Sequence, residues 1–388
     1  MPETGSDTAF EELTASFNES PEAVFERLAD QFRSEQRYHE LFDTRLMQGR
    51  FKLGLPTTNN TQLDELEEPL ASQVEEVYVA ACREVGSLWL AAGRIAEAWM
   101  YLRPAGEKKM VAEALETIEP EEEDVEPFVQ VALQEQVNPG RGYQVVLEQF
   151  GTCNAITMFE NESQRLPADQ RAKLAGMVVR HLHSELTEAL KSEISREEGA
   201  QPAESSVAEL VADRDWLFLE DAYHIDTSHL SMTTRFARWV RDPEILRLAV
   251  DLTEYGRRLS SQFQYESEEP FKDLYPSHAL FFRAQYGEQV DEAIEFFRQR
   301  AAENPAHSVG SLPAETLVAL LSRLGRNEEA FEAAVELIPT DMPLIGFAPT
   351  MMELAEAAGK FDQMQQICRD RGDRLGYVAS LLQGRTGE

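Results

Sequence analysis

Two stretches near the end of the chain constrain the fold most. "LVALLSRLGRNEEAFEAAVELIP" (317–339) and "MMELAEAAGKFDQMQQICRD" (351–370) each set two apolar runs of helical period on either side of one glycine. The two glycines, Gly325 and Gly359, stand 34 residues apart. A glycine in a short turn accepts the left-handed backbone that ends a helix. A small residue soon after it, such as Ala330, lets the second helix approach the first closely. A hairpin of this kind cannot bury its apolar face alone, so repeated copies must stack on their neighbours. Strands are hard to place, because few runs alternate with the Val, Ile or Thr content a sheet needs. The chain therefore reads as all-α.

"SHALFFRAQYGEQVDEAIEFFRQRAAENP" repeats the pattern less regularly, with Gly287 and Ala293 one residue further apart and Gly287 38 residues before Gly325. Nearer the start, "ACREVGSLWLAAGRIAEAWMYLRPAGE" carries Gly86, Trp89, Gly93, Ala98, Leu102 and Ala105. This resembles the tetratricopeptide repeat. Gly86 matches the first-helix glycine, Trp89 the aromatic three residues on, and Ala98 the second-helix alanine. Leu102 replaces the usual aromatic, Cys82 replaces the usual tryptophan, and the closing proline is absent. The resemblance implies antiparallel helix-hairpin repeats forming a solenoid or partly closed ring, with a concave surface that binds a protein or peptide. The clustered Lys, Arg and Asn that would grip a C-terminal carboxylate are missing from the matched units.

The 388 residues carry 36 Lys and Arg against 70 Asp and Glu, a net charge of −34. Such a surface repels phosphate backbones and anionic lipid, so neither nucleic acid nor membrane is an expected partner. No apolar run reaches the length of a membrane span. Three scattered cysteines, Cys82, Cys153 and Cys368, make neither a disulfide framework nor a metal-binding pair. Cys153, within an apolar helical stretch, reads as a small core residue. With an acidic start that lacks a signal sequence, these features point to the cytoplasm. Oligomeric state stays open, with "DRLGYVASLLQ" read as a capping helix.

Breaks are expected at 52–69, at the charge run 119–127, and at the Gly/Pro/Ser-rich "SREEGAQPAESS" (195–206). They suggest an N-terminal helical block (1–125), a middle block (126–200) and a C-terminal block (207–388). Ser20 with Pro21, and Asp242 with Pro243, read as helix starts.

Catalytic chemistry has one foothold. "DAYHIDTSHLS" (221–231) holds His224, Asp226 and His229, residue types that ligate zinc. On one helix, the second and third would lie about 200° and about 140° from the first. They converge only if 224–226 is extended and His229 opens a helix. His278 or His181 would complete a centre for zinc, manganese or iron, with Asp221 or Glu220 as the base of a hydrolytic enzyme. The competing reading is that Asp226, Thr227 or Ser228 caps a helix beside two neighbouring histidines. His181 and His183 should flank the Val178–Leu182–Leu186–Leu190 stripe on opposite sides. His39 and Asp43 read as an exposed i, i+4 helix pair. Protein or peptide binding without a required cofactor is the favoured expectation, and metal-dependent hydrolysis the alternative.

Overall fold

The computed structural model describes residues 4–57, 66–339, 342 and 345–386. The break expected at 52–69 therefore lies partly outside the described residues. Everything regular among the described residues is helical, apart from one isolated bridge between Glu266 and Asp273. The chain divides into two compact units, residues 1–148 and 149–388.

The first unit runs through α1 (Thr4–Glu19), α2 (Pro21–Ser34), α3 (Tyr38–Lys52), α4 (Leu70–Ala91), α5 (Ile95–Leu102), α6 (Lys108–Leu115) and α7 (Val125–Val129). Ser20 caps α2 as expected, its hydroxyl accepting from the Ala23 N–H at 3.0 Å. Ala29, Tyr38, Leu41, Cys82, Val85, Tyr101 and Ala105 form the core that joins α2, α3, α4 and α5. At Gly86 a side chain would meet Leu102 at 2.5 Å, so only glycine lets α4 and α5 approach this closely. Gly93, with φ 76°, makes the turn between them. A polar network crosses the same unit: Arg45 donates to Glu84 at 2.8 Å and to Glu26 at 3.1 Å, and Arg33 reaches Glu84 at 2.5 Å.

α8 (Pro139–Glu162) is broken at Gly151, where φ is 76° and ψ 178°. The second unit continues with α9 (Ala168–Glu198), α10 (Val207–Ala212), α11 (Thr227–Phe236), α12 (Pro243–Arg258), α13 (Leu274–Ala284), α14 (Val290–Glu303), α15 (Ala306–Val309), α16 (Leu312–Arg323), α17 (Asn327–Leu337), α18 (Met351–Ala358), α19 (Phe361–Arg371) and α20 (Arg374–Thr386). α9 is its spine. Leu174, Val178, Leu182, Leu186, Leu190 and Ile194 recur every four residues and are buried. They pack against α10, α11 and α12.

The connector expected at 195–206 lies inside this unit. α9 extends to Glu198 and ends at left-handed Gly199, and Ser206 starts α10 with a capping box to Glu209. Arg214 ties the intervening turn down by gripping Glu198 and Glu204.

In the C-terminal hairpins Gly325 and Gly359 both sit in helix-to-helix turns with positive φ, 74° and 65°. Ala293 and Ala330 are fully buried, as close packing requires. α20 packs on α19 and α18 but leaves Leu375, Val378 and Leu382 exposed. That apolar outer face differs from the polar one a capping helix presents.

Candidate functional site

Half of the geometry that could bring His224, Asp226 and His229 together is present: His229 opens a helix, whereas His224 and Ile225 lie in a bend and not in an extended run. Ala222 has extended backbone, Asp226 turns the chain into α11 with φ −57° and ψ 121°, and His229 is the third residue of that helix. All three line one open groove of about 680 Å³. Phe150, Leu182 and Ile225 supply its apolar surface, and Thr152, Cys153, Glu185 and Glu188 complete the polar part.

Asp226 is the N-cap of α11. Its Oδ1 accepts from the Ser228 N–H at 2.8 Å, the His229 N–H at 3.2 Å and the Ser228 hydroxyl at 2.5 Å. The Ser228 hydroxyl and these N–H groups hold its carboxyl below the usual aspartate range, against a smaller effect of burial.

His224 is buried at the side chain. The hydroxyl of Tyr255, itself fully buried, lies 2.9 Å from both the His224 backbone nitrogen and Nδ1. The backbone N–H must donate to that oxygen. The phenol proton then has one acceptor within reach, Nδ1, which places the imidazole proton on Nε2. Nε2 faces Glu193 at 3.4 Å, without the geometry of a hydrogen bond. Burial pushes this imidazole down from 6.5, more than Glu193 pulls it up. The pair is therefore a neutral histidine beside a carboxylate, with Nδ1 engaged by Tyr255 and Nε2 left without a hydrogen bond.

His181 and His183 leave α9 on opposite flanks, as the stripe requires. His183 Nε2 lies 3.1 Å from Asp251 on α12. His181 Nε2 lies 3.0 Å from the Thr152 hydroxyl, which is also 3.0 Å from Glu185. Thr152, His181 and Glu185 resemble a nucleophile, base and acid by composition only. In a relay the acid engages the far nitrogen of the imidazole. Here Glu185 approaches Nε2, the same atom that meets the hydroxyl, at 3.4 Å. The trio is a polar clasp between α8 and α9.

The structure separates the remaining candidates from the groove. His278 is completely buried on α13, stacked on Phe271 with ring centroids 4.1 Å apart. Its Nδ1–H donates to the Leu274 carbonyl at 2.6 Å, and its Nε2 has no partner. Burial, with Arg238 and Arg235 nearby, holds it well below 6.5. An apolar-looking helix face drew it inward, where it cannot share an ion with His224. Glu220 and Asp221 are exposed, outside the groove lining, with φ of 55° and 61°. Among the described residues no group of three or more His, Cys, Asp and Glu side chains is arranged to hold a metal ion.

Two expectations are corrected in detail. Cys153 is exposed and lines the groove instead of filling a core. The break at Gly151 resets the helical phase, so the apolar register before it does not carry on to Cys153. In the first unit His39 pairs not with Asp43 but with the Tyr101 hydroxyl, 2.7 Å from Nδ1, and its ring lies against Trp89. Burial raises the Tyr101 phenol to about 12, with Asp43 adding to the shift.

Set against protein-family models, curated proteins and solved structures, the chain gives no match. Among the described residues no helix is long and apolar enough to cross a membrane.

Sequence reasoning passed over three residues of this unit that matter most to its polar architecture. Tyr255 was hidden in an ordinary amphipathic helix. Glu315 is a fully buried carboxylate on α16, and it accepts from the N–H groups of Ile345 at 2.9 Å, Phe347 at 2.9 Å and Ala348 at 3.4 Å, and from the Ser311 hydroxyl at 2.6 Å. The third is Arg323, the last residue of α16. The one available signal was a charged residue on the apolar face of a helix, as Glu315 is in "LPAETLVALL".

Proposed function

We propose that the chain is a cytoplasmic scaffold of tetratricopeptide-like helix hairpins that binds a protein or peptide partner in the groove beside α9 and α11. One observation carries the reading: the groove combines an exposed apolar side chain, Phe150, with three outward carboxylates, Glu185, Glu188 and Asp226, and no Lys or Arg. That lining suits an amphipathic segment bearing Lys or Arg, with its apolar residues on Phe150, Leu182 and Ile225. The repeated glycine turns at Gly325 and Gly359 and the buried Ala330 support the hairpin part of the reading. The chain's net charge of −34 favours a cationic partner by steering.

Metal-dependent hydrolysis has less support from the side chains that would carry it. Asp226 is engaged as a cap, His224 is engaged at Nδ1 by Tyr255 and buried at the side chain, and His278 is elsewhere in the core.

The test is titration of the intact protein with fluorescent peptides that share composition but differ in order: amphipathic basic, scrambled basic and amphipathic acidic. The amphipathic basic peptide should bind tightest. Phe150→Ala should weaken it about tenfold, the scale of a buried aromatic contact, and Glu188→Lys should weaken it further. Equal binding of scrambled and amphipathic peptides, or binding indifferent to both substitutions, would sink the proposal.

A further inference from the structure

Arg323 is the least conventional charged group of the second unit. Its guanidinium lies between two aromatic faces, 5.5 Å from the centroid of Phe281 and 5.0 Å from that of Phe347. Nη1 donates to the Gln285 side-chain oxygen at 2.9 Å and to the backbone oxygens of Arg238 at 2.9 Å and Val240 at 3.5 Å. These contacts fix its position. They do not neutralise it, because every acceptor is an uncharged oxygen. Among the described residues no carboxylate pairs with Arg323, and none with Arg241, whose charge acts on it from nearby. Burial first, and Arg241 second, push the Arg323 guanidinium down to about 9.

A half-buried cation held between aromatic faces normally has an anion beside it, since desolvating an unpaired charge is costly. Here the neighbouring charge has the same sign, in a chain with nearly two acidic residues for each basic one. Beside the two arginines is a pocket of about 230 Å³ lined by Arg241, Gln285, Ser322, Arg323, Phe347 and Pro349, together with Ala319. Arg323 Nε and Nη2 have no hydrogen-bond partner among the described residues, and neither does the Ser322 hydroxyl. Forked N–H donors of this kind match the oxygens of a phosphoryl group.

The wall opposite is also built rather than incidental. Phe347 belongs to the segment 345–348, which is held by the buried Glu315 carboxylate through three backbone N–H groups. Trp239 meets the Phe347 ring edge-on at 5.2 Å. The pocket is thus fixed on one side by α16 and on the other by an anchored loop.

We propose that this pocket binds a phosphate monoester, its dianionic phosphoryl group held by Arg323 and Arg241 with the Ser322 hydroxyl, and its organic part against Phe347 and Pro349. Two guanidinium groups without a counter-charge among the described residues call for two negative charges on one small group, which a phosphoryl group supplies near neutral pH. A carboxylate supplies one. The site is separate from the acidic groove above and does not depend on what that groove binds.

The test is isothermal titration of the full chain with phenyl phosphate, inorganic phosphate and benzoate at fixed ionic strength. Phenyl phosphate should bind measurably and benzoate at least about tenfold more weakly, as loss of one charge-assisted pair implies. Inorganic phosphate binding as tightly as the ester would assign the phosphoryl group alone as ligand. Tighter binding of the ester would add the Phe347 and Pro349 contact. Both outcomes support the site. Arg241→Gln, at an exposed residue whose charge repels Arg323, should weaken phenyl phosphate about tenfold without lowering the unfolding temperature. Arg323→Lys should weaken it more, since an ammonium keeps the charge but loses the fork. No binding of either phosphate, benzoate equal to phenyl phosphate, or undiminished binding in Arg241→Gln would overturn the proposal.

Discussion

The groove at 224–229 and the pocket beside Arg323 are both polar hollows of the second unit, and they treat their charged groups in opposite ways. In the groove, Asp226 is a cap, His224 is fixed by Tyr255, and His181 and Glu185 close on Thr152. Only the His229 imidazole among the groove's histidine candidates lacks a side-chain hydrogen bond among the described residues. In the pocket, two arginines share a space with no carboxylate paired to either among the described residues. The contrast teaches that residue types with catalytic associations need not be the groups with chemistry left to offer. A side chain serves a ligand with the donors that the fold has not used.

The comparison can be broken hardest at Glu315, which holds the pocket wall. Glu315→Ala would leave the N–H groups of Ile345 and Phe347 without their acceptor. An unsatisfied buried donor costs about 1–3 kcal/mol, so a loss of about 3 kcal/mol is expected in urea unfolding. Trp239 fluorescence should report loosening of the loop, because its ring contacts Phe347. A change within about 0.5 kcal/mol, the range of ordinary surface substitutions, would mean that the loop does not depend on this carboxylate.

The groove has its own structural centre in Tyr255. Tyr255→Phe removes the oxygen that accepts from the His224 N–H and the proton that reaches Nδ1. The expected cost is about 2 kcal/mol, at the upper end for a buried hydrogen-bonding group. The ¹⁵N shifts of the imidazole should move as well, since the hydroxyl no longer selects the Nε2–H tautomer. A stable variant with unchanged shifts would show that His224 is placed by packing alone.

His278 sharpens the same point through pH. Its folded pKa lies well below 6.5, so the unfolded chain takes up a proton first as pH falls. The native state is therefore at full stability, with respect to this group, above about 6.5 and loses stability as pH drops below it. With an unfolded value near 6.5, the loss between pH 7.5 and 5.5 is about 1.4 kcal/mol. Subtracting the same profile for His278→Leu isolates it from the titrating carboxylates. Parallel profiles for the two proteins would show that the buried imidazole accepts its proton without penalty.

Local structure was legible because it depends on neighbours in sequence. Ser20 and Asp242 cap the predicted helices, Gly325 and Gly359 turn between helices, and the four-residue stripe of α9 separates His181 from His183. The helical character followed from period alone. Partnerships across the fold were not legible, because they join residues 31 positions apart, as in His224 and Tyr255, or 32, as in Glu315 and Phe347. The spacing of His224, Asp226 and His229 did carry information, as they line one groove. It could not show that Tyr255 and the start of α11 had already claimed two of them. Arg323 resembled any arginine in the last turn of a helix, where the dipole favours a cation. Its distinction is the absence of a paired acid among the described residues, which only the fold can reveal. Cys153 was misplaced for a local reason, the left-handed Gly151 two residues before it.

The smallest effect separates the two meanings of Asp226. As a cap, it satisfies the N–H groups of Ser228 and His229 at the start of α11. Asparagine keeps the accepting oxygen and ranks with aspartate at this position, whereas alanine costs about 1 kcal/mol. Asp226→Asn should therefore lose only the charge–dipole part, a few tenths of a kcal/mol, and Asp226→Ala the full amount. If the groove binds a basic segment, the order in binding reverses in emphasis: both substitutions remove the same negative charge, so both should weaken the peptide equally. Stability that distinguishes Asn from Ala, with affinity that does not, would mark one carboxylate serving the fold through its oxygen and the partner through its charge. Equal stability losses in the two variants would place the charge, and not the cap, at the root of both.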